Sequence, residues 1–67
     1  MIQAIKESAA SFELIQNHPS GDPTPIQQDL EITHMLSKKG KIIGINIVDH
    51  IIIGGNSLFS FADEGLL

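Results

Sequence analysis

Apolar positions at the start of the chain recur at three- and four-residue spacing: Ile2, Ile5 and Ala9. Nothing between them breaks a helix, so residues 2–10 are predicted as a short helix. From Phe12 to Gln16 the pattern changes to alternation, with Phe12 and Leu14 on one side and Glu13 and Ile15 on the other, which predicts a strand. Asn17 to Pro25 then brings three prolines, a glycine and short polar side chains, an ordered loop. Thr24 suits a helix N-cap, Pro25 the first helical position and Gln27 the third, forming a capping box. The predicted helix draws its apolar contacts from Ile26, Leu30, Ile32, Met35 and Leu36. It is carried past Gly40 to Gly44, because Ile42 and Ile43 keep its register. Ile45 to Ile53 is β-branched and nearly continuous in apolar character, which predicts a strand buried on both faces. Gly54-Gly55-Asn56 reads as a turn into a pairing strand over residues 57–61. The tail from Ala62 to Leu67 is expected to fray, and there is no internal repeat or low-complexity segment.

Size and composition narrow this further. At 67 residues the chain is one small domain at most. Natural domains below roughly 70–80 residues usually rely on a disulfide, a metal or a partner. Cysteine is absent, which removes disulfides, thiolate zinc sites and cysteine nucleophiles. Its absence also fits a reducing compartment, and a cytoplasmic location is expected. Eight acidic side chains against four Lys and Arg give a net charge of −4. That charge, with three Phe and no Trp or Tyr, does not support direct nucleic-acid binding. No apolar run approaches the roughly 20 residues of a membrane span, and the N-terminus does not read as a signal peptide.

The informative stretch is Asn17-His18-Pro19-Ser20-Gly21-Asp22-Pro23-Thr24-Pro25, followed by Asp29. It resembles the RadC family, the bacterial branch of the JAMM (MPN-type) zinc hydrolases. The resemblance continues through Gly40-Lys41, Gly44-Ile45, Asp49-His50-Ile51-Ile52-Ile53-Gly54, Phe59-Ser60-Phe61 and Glu64-Gly65-Leu66-Leu67, and so covers nearly the whole chain. It implies an α/β fold: the C-terminal half of a cytidine-deaminase-like JAMM domain, in the order α-β-α-β-β, with a mixed sheet flanked by helices. It also implies a zinc held by His-x-His and an Asp, a Glu as general base on the zinc-bound water, and a Ser that stabilises the oxyanion.

Carried onto this sequence, the second His is His18 and the Asp is Asp29, with their spacing intact. Gln16 stands at the position of the first His, and Ile26 at that of the Ser. The resemblance places the Glu on a strand preceding Met1. A neutral amide oxygen is a poor zinc ligand beside imidazole or carboxylate, so zinc is expected to bind weakly or not at all. Neither Glu13, on the opposite side of the strand from Gln16, nor Asp22 in the loop is an evident substitute base. The residues also have a simpler account, in which Asn17, Pro19, Ser20, Gly21, Asp22 and Pro23 shape a loop and Asp29 favours the positive end of a helix. His34 is read as solvated. Asp49 and His50 are read as a sheet-edge or partly buried pair with local hydrogen bonds, one on each face. Lys38, Lys39 and Lys41 are read as a solvated helix end.

Three functions follow from the resemblance. The first is a RadC-like scaffold without hydrolytic activity. The second is a JAMM-type zinc hydrolase, acting on amide or isopeptide-like bonds, completed by further segments or a partner. The third is a DNA-repair accessory protein, as the family name suggests. Twelve isoleucines, five of them between Ile45 and Ile53, beside an unpaired sheet edge predict a homo-oligomer.

Overall fold

The computed structural model describes Ile2 to Leu67. Strand β1 (Ile2–Ser8) and strand β2 (Ser11–Asn17) form a hairpin, helix α1 (Gln27–Ile42) follows the loop, and strands β3 (Asn46–Gly54) and β4 (Ser57–Ser60) complete a four-stranded sheet. The sheet order is β1-β2-β3-β4. The outer pairs are antiparallel and the central β2–β3 pair is parallel, so the sheet is mixed, as expected for an α/β fold. The chain order is therefore β-β-α-β-β, and the predicted first helix is a strand.

The reason lies in tertiary pairing. β1 pairs with β2 from Ile2 opposite Gln16 to Ser8 opposite Ser11. Seven residues make barely two turns of helix, too few to hold without packing, whereas the same residues in a hairpin satisfy one edge of their backbone. The turn falls on Ala9-Ala10, which carries none of the Gly, Asn or Asp that normally mark a hairpin.

β2, β3 and β4 match their predicted spans to within a residue or two, and α1 does pass Gly40. Its start differs. The helix begins at Gln27, with Ile26 as an extended N-cap residue, two residues later than a Thr24 cap would give. The Asp29 carboxylate accepts the Ile26 N–H at 2.9 Å and so fixes the start of the helix there.

Among the described residues one helix covers one face of the sheet and no second helix covers the other. β3 is therefore not buried on both faces: Ile52 is fully buried on the helix side, while Ile53 on the other is exposed. The fully buried positions of α1 are small or polar, Asp29, Thr33 and Gly40, while Ile32 and Leu36 are partly buried and Met35 is exposed. Among the described residues the buried apolar core is Leu14, Ile52 and Phe61. The tail is ordered, not frayed. The Leu66 N–H reaches the Phe61 carbonyl at 2.8 Å, and Asp49 accepts the Ala62 N–H at 3.0 Å.

Gly40 lets the end of α1 touch the start of β3. A Cβ built there would lie 2.7 Å from the Ile45 carbonyl oxygen, which is backbone and cannot swing aside. Gly→Ala inside a helix is normally favourable by about 1 kcal/mol. Here the clash outweighs that gain, and Gly40→Ala is expected to cost a net 1 to 2 kcal/mol, roughly. Thermal melts against a Lys41→Ala control check the sign.

Candidate functional site

The C-terminal end of β2, the loop after it and the first turn of α1 converge on the carboxylate of Asp29, which is only 4% exposed. Gln16 Nε2 donates to Oδ1 at 3.1 Å. The Ile26 N–H donates to Oδ2 at 2.9 Å, the reach-back half of a capping box. His18 Nε2 lies 3.2 Å from the same Oδ2. Nδ1–H of the same ring donates to the Asp22 carbonyl at 3.0 Å, so Nε2 presents a lone pair to Asp29 in the neutral ring and a proton only in the imidazolium. Burial alone would push the Asp29 carboxyl up, but the Ile26 N–H, the Gln16 amide and the neighbouring His18 outweigh it and hold the group below the ordinary carboxylate range.

The loop reaches this position because its backbone is tied at several points. The His18 N–H bonds to the Ile53 carbonyl at 2.8 Å and the Gly21 N–H to the His18 carbonyl at 3.0 Å. Gly21 takes a φ of 87°, a region that suits glycine. Ser20 Oγ accepts the Asp22 N–H and the Asp22 carboxylate accepts the Thr24 N–H, which lowers the Asp22 pKa. The loop lies directly on Gly54, where a Cβ would sit 2.5 Å from the Pro23 nitrogen and 2.8 Å from the Gly21 carbonyl oxygen. Asn17, Pro19, Ser20, Gly21, Asp22 and Pro23 thus build the loop, while the Asp29 carboxylate is met by Gln16, His18 and Ile26.

Behind Asp29 lies a second buried layer. The Thr33 hydroxyl donates its single proton to the Asp29 carbonyl at 2.7 Å. It must therefore accept from His50 Nδ1, 2.5 Å away. His50 is fully buried and stacks on Phe61 with ring centroids 4.7 Å apart. Its Nε2 is left as a buried acceptor without a partner. His50 therefore sits on an inner strand against the helix, not at a sheet edge. Asp49 faces the other way, accepting from the His50 N–H and the Ser60 hydroxyl. The only sequence signal for this layer is the four-residue spacing of Asp29 and Thr33, which places both on one helix face.

Gln16, His18 and Asp29 are thus brought together. Ile26 contributes its N–H and leaves its side chain 57% exposed. Glu13 points to the far face, near Glu7 and Asp49, and Asp22 is occupied within the loop.

Residues 1–66 match the family model of the RadC-like JAB domain. The chain belongs to this family. Similar curated proteins include UPF0758 proteins of Geotalea uraniireducens, 51% identical over 65 residues, Trichlorobacter lovleyi, 55% over 64 residues, and Syntrophomonas wolfei, 56% over 64 residues. These alignments take in 96–97% of the present chain and only 27–28% of each relative, so it spans little more than a quarter of their length.

For a RadC-like JAB domain the implied group is zinc, and the donors here fall short of it. A catalytic zinc takes three protein ligands and leaves a fourth position for water. His18 and Asp29 are suitable donors, but Gln16 turns an N–H toward the carboxylate and leaves its Oε1 buried without a partner. Among the described residues no three His, Asp or Glu side chains converge as metal donors.

His50 makes the fold sensitive to acid. Burial pushes its pKa down, against the opposing pull of the Asp29 and Asp49 carboxylates, while His18 adds to the lowering. A histidine held neutral in the fold stabilises it fully above its ordinary value of about 6.5 and loses that contribution as the pH falls below it. Melting temperature is expected to decline between pH 7 and pH 5 and to flatten over that range in His50→Gln.

Proposed function

We propose that this chain is a non-hydrolytic scaffold portion of a RadC-like JAB domain, holding zinc weakly or not at all and acting through protein contacts. The observation that carries this reading is the pair of replacements in the site. Gln16 stands where a ligand is needed, and Ile26 stands where a hydroxyl would stabilise an oxyanion. An isoleucine side chain donates no hydrogen bond, so it cannot stabilise charge developing on a tetrahedral intermediate. The chain's own residues can fix and charge-balance Asp29, but they offer no free base beside an open electrophilic centre.

The contact surface suggested by the sheet is the outer edge of β1. No strand pairs there among the described residues. Reaching toward it, between α1 and the sheet, runs a groove of about 590 Å³, lined by Ile2, Ala4, Phe12, Ile32, Leu36 and Ile45 among others. We take its occupant to be a second copy. Pairing β1 with β1 would satisfy both open edges and bring the two grooves together. Among the described residues the buried apolar side chains are Leu14, Ile52 and Phe61, so covering the groove would add to a sparse core.

Two measurements test the proposal. Calorimetric titration with zinc should give no site of micromolar affinity that is lost in Asp29→Ala. Such a site would overturn the scaffold reading in favour of a JAMM-type hydrolase completed by further segments or a partner. Sedimentation equilibrium should show a dimer or larger species at micromolar concentration, and a stable monomer would defeat the assembly.

A further inference from the structure

Three separate stretches of chain meet at Asp29: β2 through Gln16, the loop through His18, and the head of α1 through Ile26. A bound cation would need lone pairs directed at it from each ligand. Gln16 supplies a proton instead, and the oxygen that could supply a lone pair is buried without a partner. Turning the amide over would set Oε1 against Asp29 Oδ1 at the distance now held by Nε2, 3.1 Å. Two oxygens that close and without a proton repel unless a cation lies between them. With Nε2 toward Asp29, the amide gives the carboxylate a donor and offers a cation no lone pair.

We propose that Gln16 converts this position into a metal-independent clasp. Its amide-to-carboxylate hydrogen bond ties the end of β2 directly to the first turn of α1, and Gln16→His alone would return the tie to a metal ion. The clasp rests on the donor set described above and extends the scaffold reading to how the site is held together. The geometry carries it in three ways. Asp29 is buried, so an unpaired carboxylate there is costly. Hydrogen bonds to a charged group are about twice as strong as neutral ones. The two residues are 13 positions apart across the loop, so their bond restrains the whole segment.

The test is thermal melting of the full chain in chelator-treated buffer and again with excess zinc chloride, for wild type, Gln16→Met and Gln16→His. Wild type is expected to melt at the same temperature in both buffers. Gln16→Met, similar in length but unable to donate, should melt about 5–10 °C lower in both. Gln16→His should gain about 10 °C on zinc addition if zinc reaches roughly 100 times its dissociation constant. In nitrogen-edited NMR spectra of the wild type, the Gln16 Nε2 protons should exchange slowly and be resolved from those of exposed amides. This readout decides the matter should Gln16→Met fail to fold. Gln16→Met melting like wild type in chelator, or Gln16 amide protons exchanging as freely as exposed ones, overturns the clasp alone. Zinc-dependent stabilisation of the wild type overturns both the clasp's independence of metal and the scaffold reading.

Discussion

A buried carboxylate must be met by donors, and in this molecule the carboxylate of Asp29 organises the parts around it. Its two oxygens take an amide from β2, a backbone N–H from the head of α1 and the ring of His18 from the loop between them. Gln16 lies 13 positions before Asp29, with His18 beside it across the loop, so the bonds set the direction in which the chain leaves β2 and enters the helix. One helical turn later, Thr33 passes the same restraint inward to His50 and the stacked Phe61. The order of dependence runs from a charge that water cannot reach, through the groups that must replace water, to the packing of helix on sheet.

That packing is close rather than extensive. α1 comes closest to the sheet at buried Asp29, Thr33 and Gly40, with Ile32 and Leu36 only partly buried along the groove, and the loop lies against a bare Gly54. Small residues let backbone approach backbone. They bury polar groups that must then pair with one another, which explains why a domain with so few buried apolar residues carries a buried His, Thr and Asp together. The larger isoleucines are left to line the groove beside β1 and to cover the outer face of the sheet.

Much of the fold was legible along the chain. β2, β3 and β4 announce themselves by alternation and β-branching, and the helix by its apolar spacing and by the prolines before it. The loop motif from Asn17 to Pro25 carried the family resemblance, and His18 and Asp29 lie together. β1 was not legible, because its local pattern suits a helix equally well and Ala9-Ala10 gives no turn signal. The role of His50 was hidden for another reason. Alternation tells which face a residue occupies, but not whether a threonine from a helix 17 positions away will meet it there.

The sequence by itself determined the elements after residue 11, the family and the chemical types at the ligand positions, since these depend on residue identity and short-range spacing. Only the tertiary structure decided that the first segment is a strand, that the tail is tied down and that the Gln16 amide presents its nitrogen to Asp29. Each of those outcomes turns on a partner distant along the chain. The preference that such a partner imposes, a ladder of hydrogen bonds or an oxygen that needs a proton, is stronger than any local propensity.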